Sequence, residues 1–143
     1  MADAAQLVRD EIADLSRGDL EAVLAYYTDD VFFHDVTTDP CHGKEAMRDF
    51  MAVFYRGFPD LRIEIRNVIA GGRLVAAEYD LLGTHTGTFL EHPATGRAFR
   101  IPALSVYEQE ADGPLFTRET VYYDAASLFG QLGLPVPAAP AAV

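Results

Sequence analysis

GDLEAVLAYYTDDVFFHD, residues 18 to 35, joins a helical pattern to an apolar strand within eighteen residues. Leu20, Val23, Leu24 and Tyr27 recur at i, i+3, i+4 and i+7, one face of a short helix. Asp19 follows Gly18 as an N-cap, and Glu21 sits in the first turn, where the helix dipole favours an anion. Thr28, Asp29 and Asp30 form a polar break, after which VFFHDV reads as a strand. Alternation puts Val31, Phe33 and Asp35 on one face and Phe32, His34 and Val36 on the other. Either face therefore sets an ionisable group among bulky apolar side chains. A carboxylate in such a place must gain hydrogen bonds or hold its proton to higher pH.

Before this stretch, Leu7, Val8, Ile12 and Leu15 predict an amphipathic helix over residues 4 to 16. Glu11 reads as a solvated acid at the edge of its apolar stripe. After the strand, TTDPCHGK is loop, and a third helix runs from about Lys44 to Tyr55. Met47, Phe50, Met51 and Phe54 line one side of it, a stripe that suits core or the wall of an apolar cavity.

From Leu61 the period changes to two. Leu61, Ile63 and Ile65 alternate with Arg62, Glu64 and Arg66, and Gly71-Gly72 marks a hairpin. On the returning strand Val75, Ala77, Tyr79, Leu81 and His85 share a side, unless a bulge near Gly83 shifts the register. Arg100 to Gln109 aligns Ala103, Ser105 and Tyr107. Leu115 to Asp124 aligns Thr117, Glu119, Val121 and Tyr123. Asp124 caps a closing helix, Ala125 to Leu132, that stops at Gly133. Helices first, then a run of strands, then a short helix: the order implies an α+β fold, a curved sheet around helices. Residues 1–135 form the expected domain and 136–143 a Pro/Ala-rich tail.

Half of the 143 residues are hydrophobic, enough for one core that buries roughly 70% of the unfolded surface. A net charge of −11 repels phosphate backbones and anionic lipids, so neither nucleic acid nor membrane is an expected partner. No apolar run approaches the ~20 residues of a membrane span, and the expected location is cytoplasmic. Cys41 is the only cysteine. His34, His42, His85 and His92 show no metal-ligand spacing, and no nucleophile elbow or nucleotide fingerprint is present. Neither a metal nor a cofactor is expected.

The opening run, together with GTHTGTFLEHPATGRAF (Gly83 to Phe99) and YYDAASLFGQLGLP (Tyr122 to Pro135), resembles the nuclear transport factor 2-like superfamily. That group includes ketosteroid isomerases, limonene epoxide hydrolases and SnoaL-like polyketide cyclases. The resemblance implies a cone-shaped, curved antiparallel or mixed sheet wrapped around three N-terminal helices, with a broad apolar surface that suits a homodimer or higher homo-oligomer. Asp35 stands where ketosteroid isomerases similarly carry their proton-shuttling aspartate. Glu11 and Ser105 stand where those isomerases hold their oxyanion, and Val121 stands where the cyclases and epoxide hydrolases carry an essential aspartate. No known catalytic set is complete here.

A few polar groups in an apolar cone are the natural place for chemistry. Asp35 is the candidate base, its other reading being a cap for the loop that follows. His85 and Glu119 are the candidate proton donors or partners. Phe33, Phe50, Phe54, Tyr79, Tyr107, Tyr123, Ser105, Val121 and His34 are the candidate substrate contacts, although by parity only one of His34 and Asp35 can look into the cone. The expected activity is cofactor-independent cyclisation or isomerisation of a hydrophobic, oxygenated, polyketide-like molecule. A non-catalytic ligand-binding or dimerisation module, and an epoxide-opening hydrolase or cyclase, are the alternatives.

Overall fold

In the computed structural model, which describes residues 3–138, the chain forms four helices and one six-stranded sheet. Helix α1 (Ala4–Ser16) starts where the Asp3 carboxylate accepts from Ala5 N–H, and α2 (Leu20–Leu24) where Asp19 accepts from Ala22 N–H. Strand β1 (Tyr27–Asp35) follows, then a two-residue strand β2 (Cys41–His42) and helix α3 (Lys44–Gly57). Strands β3 (Arg62–Gly71), β4 (Leu74–Thr84), β5 (Ala98–Gln109) and β6 (Phe116–Tyr123) form a meander, and α4 (Ala125–Leu132) closes the chain.

Spatial order is β2-β1-β6-β5-β4-β3. The β1–β6 pair is parallel and the others antiparallel, so the sheet is mixed rather than wholly antiparallel. It is curved and unclosed, and α1 and α3 pack into its concave side. Core residues come from every helix and from β1, β4, β5 and β6, and include Val8, Ile12, Val31, Met47, Val75, Ile101 and Leu128, with Ile63, Ile65 and Val68 of β3 partly buried against them.

Several boundaries differ from the sequence expectation, among them β5, which starts at Ala98 rather than Arg100, and the loop TTDPCHGK, which holds β2. Tyr27 is not the last turn of α2 but the first residue of β1, and Thr28 to Asp30 lie in the strand rather than in a break. The cause is pairing: Phe116 N–H donates to Tyr26 O, and Tyr27 stands opposite Phe116, which holds this backbone extended against its helical pattern. Helix α3 also continues two residues past Tyr55. The tail expected over 136–143 falls mainly on residues 139–143, outside the described ones; Val136 to Ala138 are neither helix nor strand.

Asp124 caps α4 as expected, accepting from Ala126 N–H and from the Ser127 hydroxyl. Replacing it with Ala should lower the melting temperature by a few degrees at neutral pH while leaving ligand binding intact. A thermal melt beside a binding titration checks this, and a loss of binding at unchanged stability would place Asp124 in the site instead.

Behind the cone's mouth lies an aromatic cluster. Phe58, fully buried, packs against Phe54, Phe89, Phe99 and His85, with ring centroids 4.8 to 6.2 Å apart. The loop after β4 reaches this cluster by crossing the end of α3 at Gly87, whose N–H donates to Gly57 O. A Cβ there would collide with the Arg56 carbonyl oxygen, so only glycine allows the approach.

Candidate active site

Two adjoining chambers occupy the cone. The inner one, about 80 Å³, is bounded by α1, β1, α3 and the concave faces of β3 to β6. Its wall is apolar, formed by Phe33, Met47, Phe50, Met51, Phe54 and Leu61 among others, and its polar groups are Glu11, Asp35, Glu119, Tyr79, Tyr107 and Tyr123. The outer one, about 450 Å³, runs from Asp35 to Phe129 and the Pro137–Ala138 segment. Asp35, Phe50, Phe54 and Tyr123 line both and so form the partition.

Strand alternation explains how Glu119, Val121 and Tyr123 reach the inner wall. Asp35 arrives from β1 by the same parity, opposite Val121 in the parallel register. Asp35 as a whole is 3% exposed. Oδ1 accepts from Thr37 N–H at 2.9 Å and from the Thr37 hydroxyl at 2.7 Å, while Oδ2 accepts from Tyr123 O–H at 2.8 Å. Asp35 thus caps the loop through one oxygen and also lines the cavity. A carboxylate has about four acceptor positions, so one remains on Oδ2.

The floor of the chamber holds an arrangement that no local pattern in the sequence announces. Glu11 is buried at 2% exposure and Glu119 at 6%, and both carboxyls meet the hydroxyl of fully buried Tyr27. Tyr27 O–H lies 2.5 Å from Glu119 Oε1 and 3.1 Å from Glu11 Oε1, and Tyr107 O–H donates to Glu11 Oε2 at 3.3 Å. A phenol has one proton, which can be given fully to one carboxylate only. The other contact is satisfied when a carboxylic acid donates to the phenol oxygen, so the pair carries a proton of its own. Burial and the neighbouring Glu119 charge push Glu11 well above the ordinary carboxylate range. Burial also pushes Glu119 up, to about 7, against the hydroxyls of Tyr27, Ser105 and Tyr107, which favour its ionised form. Burial raises Tyr27, Tyr79 and Tyr107 further still, so all three stay protonated and can donate.

Glu11 is therefore not the solvated acid its sequence setting suggests. It lies three residues after Val8 and four before Leu15, inside the α1 stripe rather than at its edge, and that spacing was the available signal.

Three of the candidate residues stand elsewhere. His34 points to the opposite face of β1, where Nε2 meets Thr38 O at 3.0 Å and the ring stacks edgewise on Phe32; parity gave the cavity to Asp35 instead. Ser105 is behind the wall, its hydroxyl 2.8 Å from Tyr79 O–H. His85 is fully buried, yet it is not on either chamber wall: it packs on Phe58 and Phe89, and its Nδ1 accepts from Thr95 N–H at 3.3 Å. Its position on the strand explains this, for six residues beyond Tyr79 is ~20 Å along an extended chain. Phe33, Phe50, Phe54, Tyr79, Tyr107, Val121 and Tyr123 do line the inner chamber, with Asp35 and Glu119. Among the described residues, His, Cys, Asp and Glu form no group of three that could hold a metal ion. No described helix is long and apolar enough to cross a membrane.

The family model of the SnoaL-like domain matches residues 8–118. The chain belongs to this family. Among solved structures, the SnoaL-like domain is similar to AclR, a candidate hydroxylase from Streptomyces galilaeus, at 20% identity and TM-score 0.81, over 93% of this chain and 82% of that one. It is similar to a candidate SnoaL-like polyketide cyclase from Jannaschia sp. CCS1 at 18% identity and TM-score 0.79, over 94% and 97% of the two chains. A candidate polyketide cyclase from Xanthomonas campestris pv. campestris matches at 25% identity and TM-score 0.76, over 90% and 96%. No curated protein matches the sequence. The superposition on the first two extends over nearly the whole chain and establishes the cone fold; the acid pair beneath it belongs to this chain's own residues.

Proposed function

We propose that this SnoaL-like domain is a cofactor-independent cyclase or isomerase for a hydrophobic, oxygenated small molecule of polyketide-like chemistry. The observation that carries the reading is the pair of buried carboxyls bridged by one phenol at the floor of an apolar chamber. A carboxyl that burial holds as an acid can donate a proton where a second carboxyl of the same chamber accepts one. Asp35, which accepts from Thr37 N–H, the Thr37 hydroxyl and Tyr123 O–H, is the base: its free Oδ2 position takes a proton from the carbon next to a carbonyl. The C–H electrons move into the enolate, and the carbonyl oxygen is met by the protonated Glu119 or by a tyrosine O–H. Returning the proton to a different carbon isomerises the molecule. Attack of the enolate carbon on a second carbonyl closes a ring, the π electrons of that carbonyl passing to its oxygen, which takes up the proton that Asp35 holds. The polyketide-like class is the one attributed to several structural neighbours. A homodimer would form through the outer sheet face, where Ile69, Leu74 and Tyr122 are exposed.

Exchange of the α-hydrogens of a hydrophobic ketone for deuterium, followed by NMR, tests the reading without knowledge of the natural substrate. Asp35→Asn should slow it by about a hundredfold, since the amide oxygen still accepts from Thr37 but cannot take the proton. Unchanged exchange would remove Asp35 from the mechanism. Val121 favours a second reading, a binding module without turnover, because it offers no proton where related cyclases have an aspartate. Saturable binding of the ketone with no exchange above the buffer rate would select that reading.

A further inference from the structure

The inner chamber is too small for the substrate class just named. A cavity of roughly 150 Å³ holds one benzene. At about 80 Å³ the acid-lined chamber admits a carbonyl with a methyl or methylene group, and no ring. The outer chamber, at about 450 Å³, is within the range of ligand pockets and is some three benzene cavities in size.

The outer chamber also has the features of a binding surface. Val36, Val53, Leu90, Ala125 and Phe129 make it apolar, and Thr37 and Thr38 edge it. Leu90 is 52% exposed and is the one described non-glycine residue with positive φ, at 54°. A leucine is strained in that conformation and stays there only when its surroundings hold it. The Phe89–His92 bridge on either side fixes this turn and so keeps an apolar side chain displayed at the rim. No lysine or arginine among the described residues lines either chamber, while Asp35 stands in the partition. An anionic ligand would meet a carboxylate with no compensating charge.

We propose that the outer chamber holds the body of the substrate, an uncharged lipophilic compound of two to three fused rings, with its reacting carbonyl directed across the Asp35–Tyr123 partition. This rests on the reading of the inner chamber as the place of proton transfer. It assigns selection for size to residues that take no part in that transfer, while exclusion of anions falls to Asp35 in the partition. Val53 and Leu90 are the specificity residues. Ile63, which lines only the inner chamber, governs access of the carbonyl.

The test uses 2-acetonaphthone and the 2-naphthoate anion as probes, with binding by calorimetry or NMR titration and turnover by deuterium exchange. The ketone is expected to bind at least tenfold more tightly than the carboxylate. Val53→Trp, which narrows the outer chamber, should weaken ketone binding tenfold or more. Leu90→Gly relieves the backbone strain, so its melting temperature should hold or rise while ketone affinity drops several-fold. Ile63→Phe should keep binding within about threefold and abolish exchange. Equal affinity for ketone and carboxylate would overturn the proposal. So would unchanged ketone affinity in Val53→Trp, or in a folded Leu90→Gly. If binding follows the expected pattern but wild-type protein exchanges no α-hydrogen, the outer site stands and the catalytic reading falls.

Discussion

Glu119→Gln should abolish most proton exchange and at the same time make the protein more stable above neutral pH. The glutamine keeps the size of the side chain and can still accept from Tyr27, but it can neither hold nor release a proton. Losing a positioned acid typically costs 10²–10⁴ in rate, and ketone binding in the outer chamber should be nearly unaffected. The stability effect follows from linkage. Glu119 has a folded-state pKa near 7, above its ordinary 4.5, so the folded protein binds more protons than the unfolded chain between those values. Stability is greatest below about pH 4.5 on this account, and it falls as pH rises through 7. The shift corresponds to about 3 kcal/mol for this fully buried group once it is ionised. The variant should therefore gain about 2–3 kcal/mol over wild type at pH 8 and little at pH 5, read as the separation of two denaturation curves at each pH. Equal stability of the two proteins at both values would mean that Glu119 is not held as an acid. Retained exchange at pH 7 would mean that the acid is not used.

The same residue shows how far the sequence could be read. Period-two alternation over residues 115–124 placed Glu119, Val121 and Tyr123 on one face, and it is this face that lines the chamber. The helical stripe Met47, Phe50, Met51, Phe54 was equally legible as a wall. The pattern succeeded where the question was which side of an element a residue occupies. It failed for His85, where the question was how far along the chain the chamber extends: His85 lies beyond the end of β4 and packs against Phe58, just past α3, instead of lining the chamber. Nothing in β4 itself records what α3 delivers there.

Glu11 and Tyr27 mark a second limit. Treating every glutamate beside an apolar stripe as solvated assumes that burial has no compensating partner. Here the partner is Tyr27, sixteen residues away, and the second acid is ninety-two residues from that tyrosine. The helical periodicity that seemed to continue through Tyr27 is outweighed by parallel pairing with β6, which turns the phenol inward. A local pattern cannot register a strand that joins only after the chain has crossed the whole sheet.

That tyrosine carries the other large expectation. Tyr27→Phe should leave the fold intact while destabilising it by about 1 kcal/mol at pH 5 and about 3 kcal/mol at pH 8. At the lower pH both glutamates are neutral and lose one ordinary hydrogen bond. At the higher pH an ionised Glu119 loses its shortest donor in an apolar setting, and hydrogen bonds to charged groups are the stronger ones. Because the Tyr27 hydroxyl favours the ionised form of Glu119, its removal must move that titration upward from about 7. The pH profile of deuterium exchange reads this directly. Where activity needs Glu119 protonated, the alkaline limb should shift to higher pH, even as the rate falls for want of the bridge. A residue that merely filled space would lower the rate at every pH alike. An alkaline limb that stays in place, or a destabilisation equal at both pH values, would show that the phenol does not join the two acids. The 13C resonance of the Glu119 carboxyl, followed through the same range, separates the two cases.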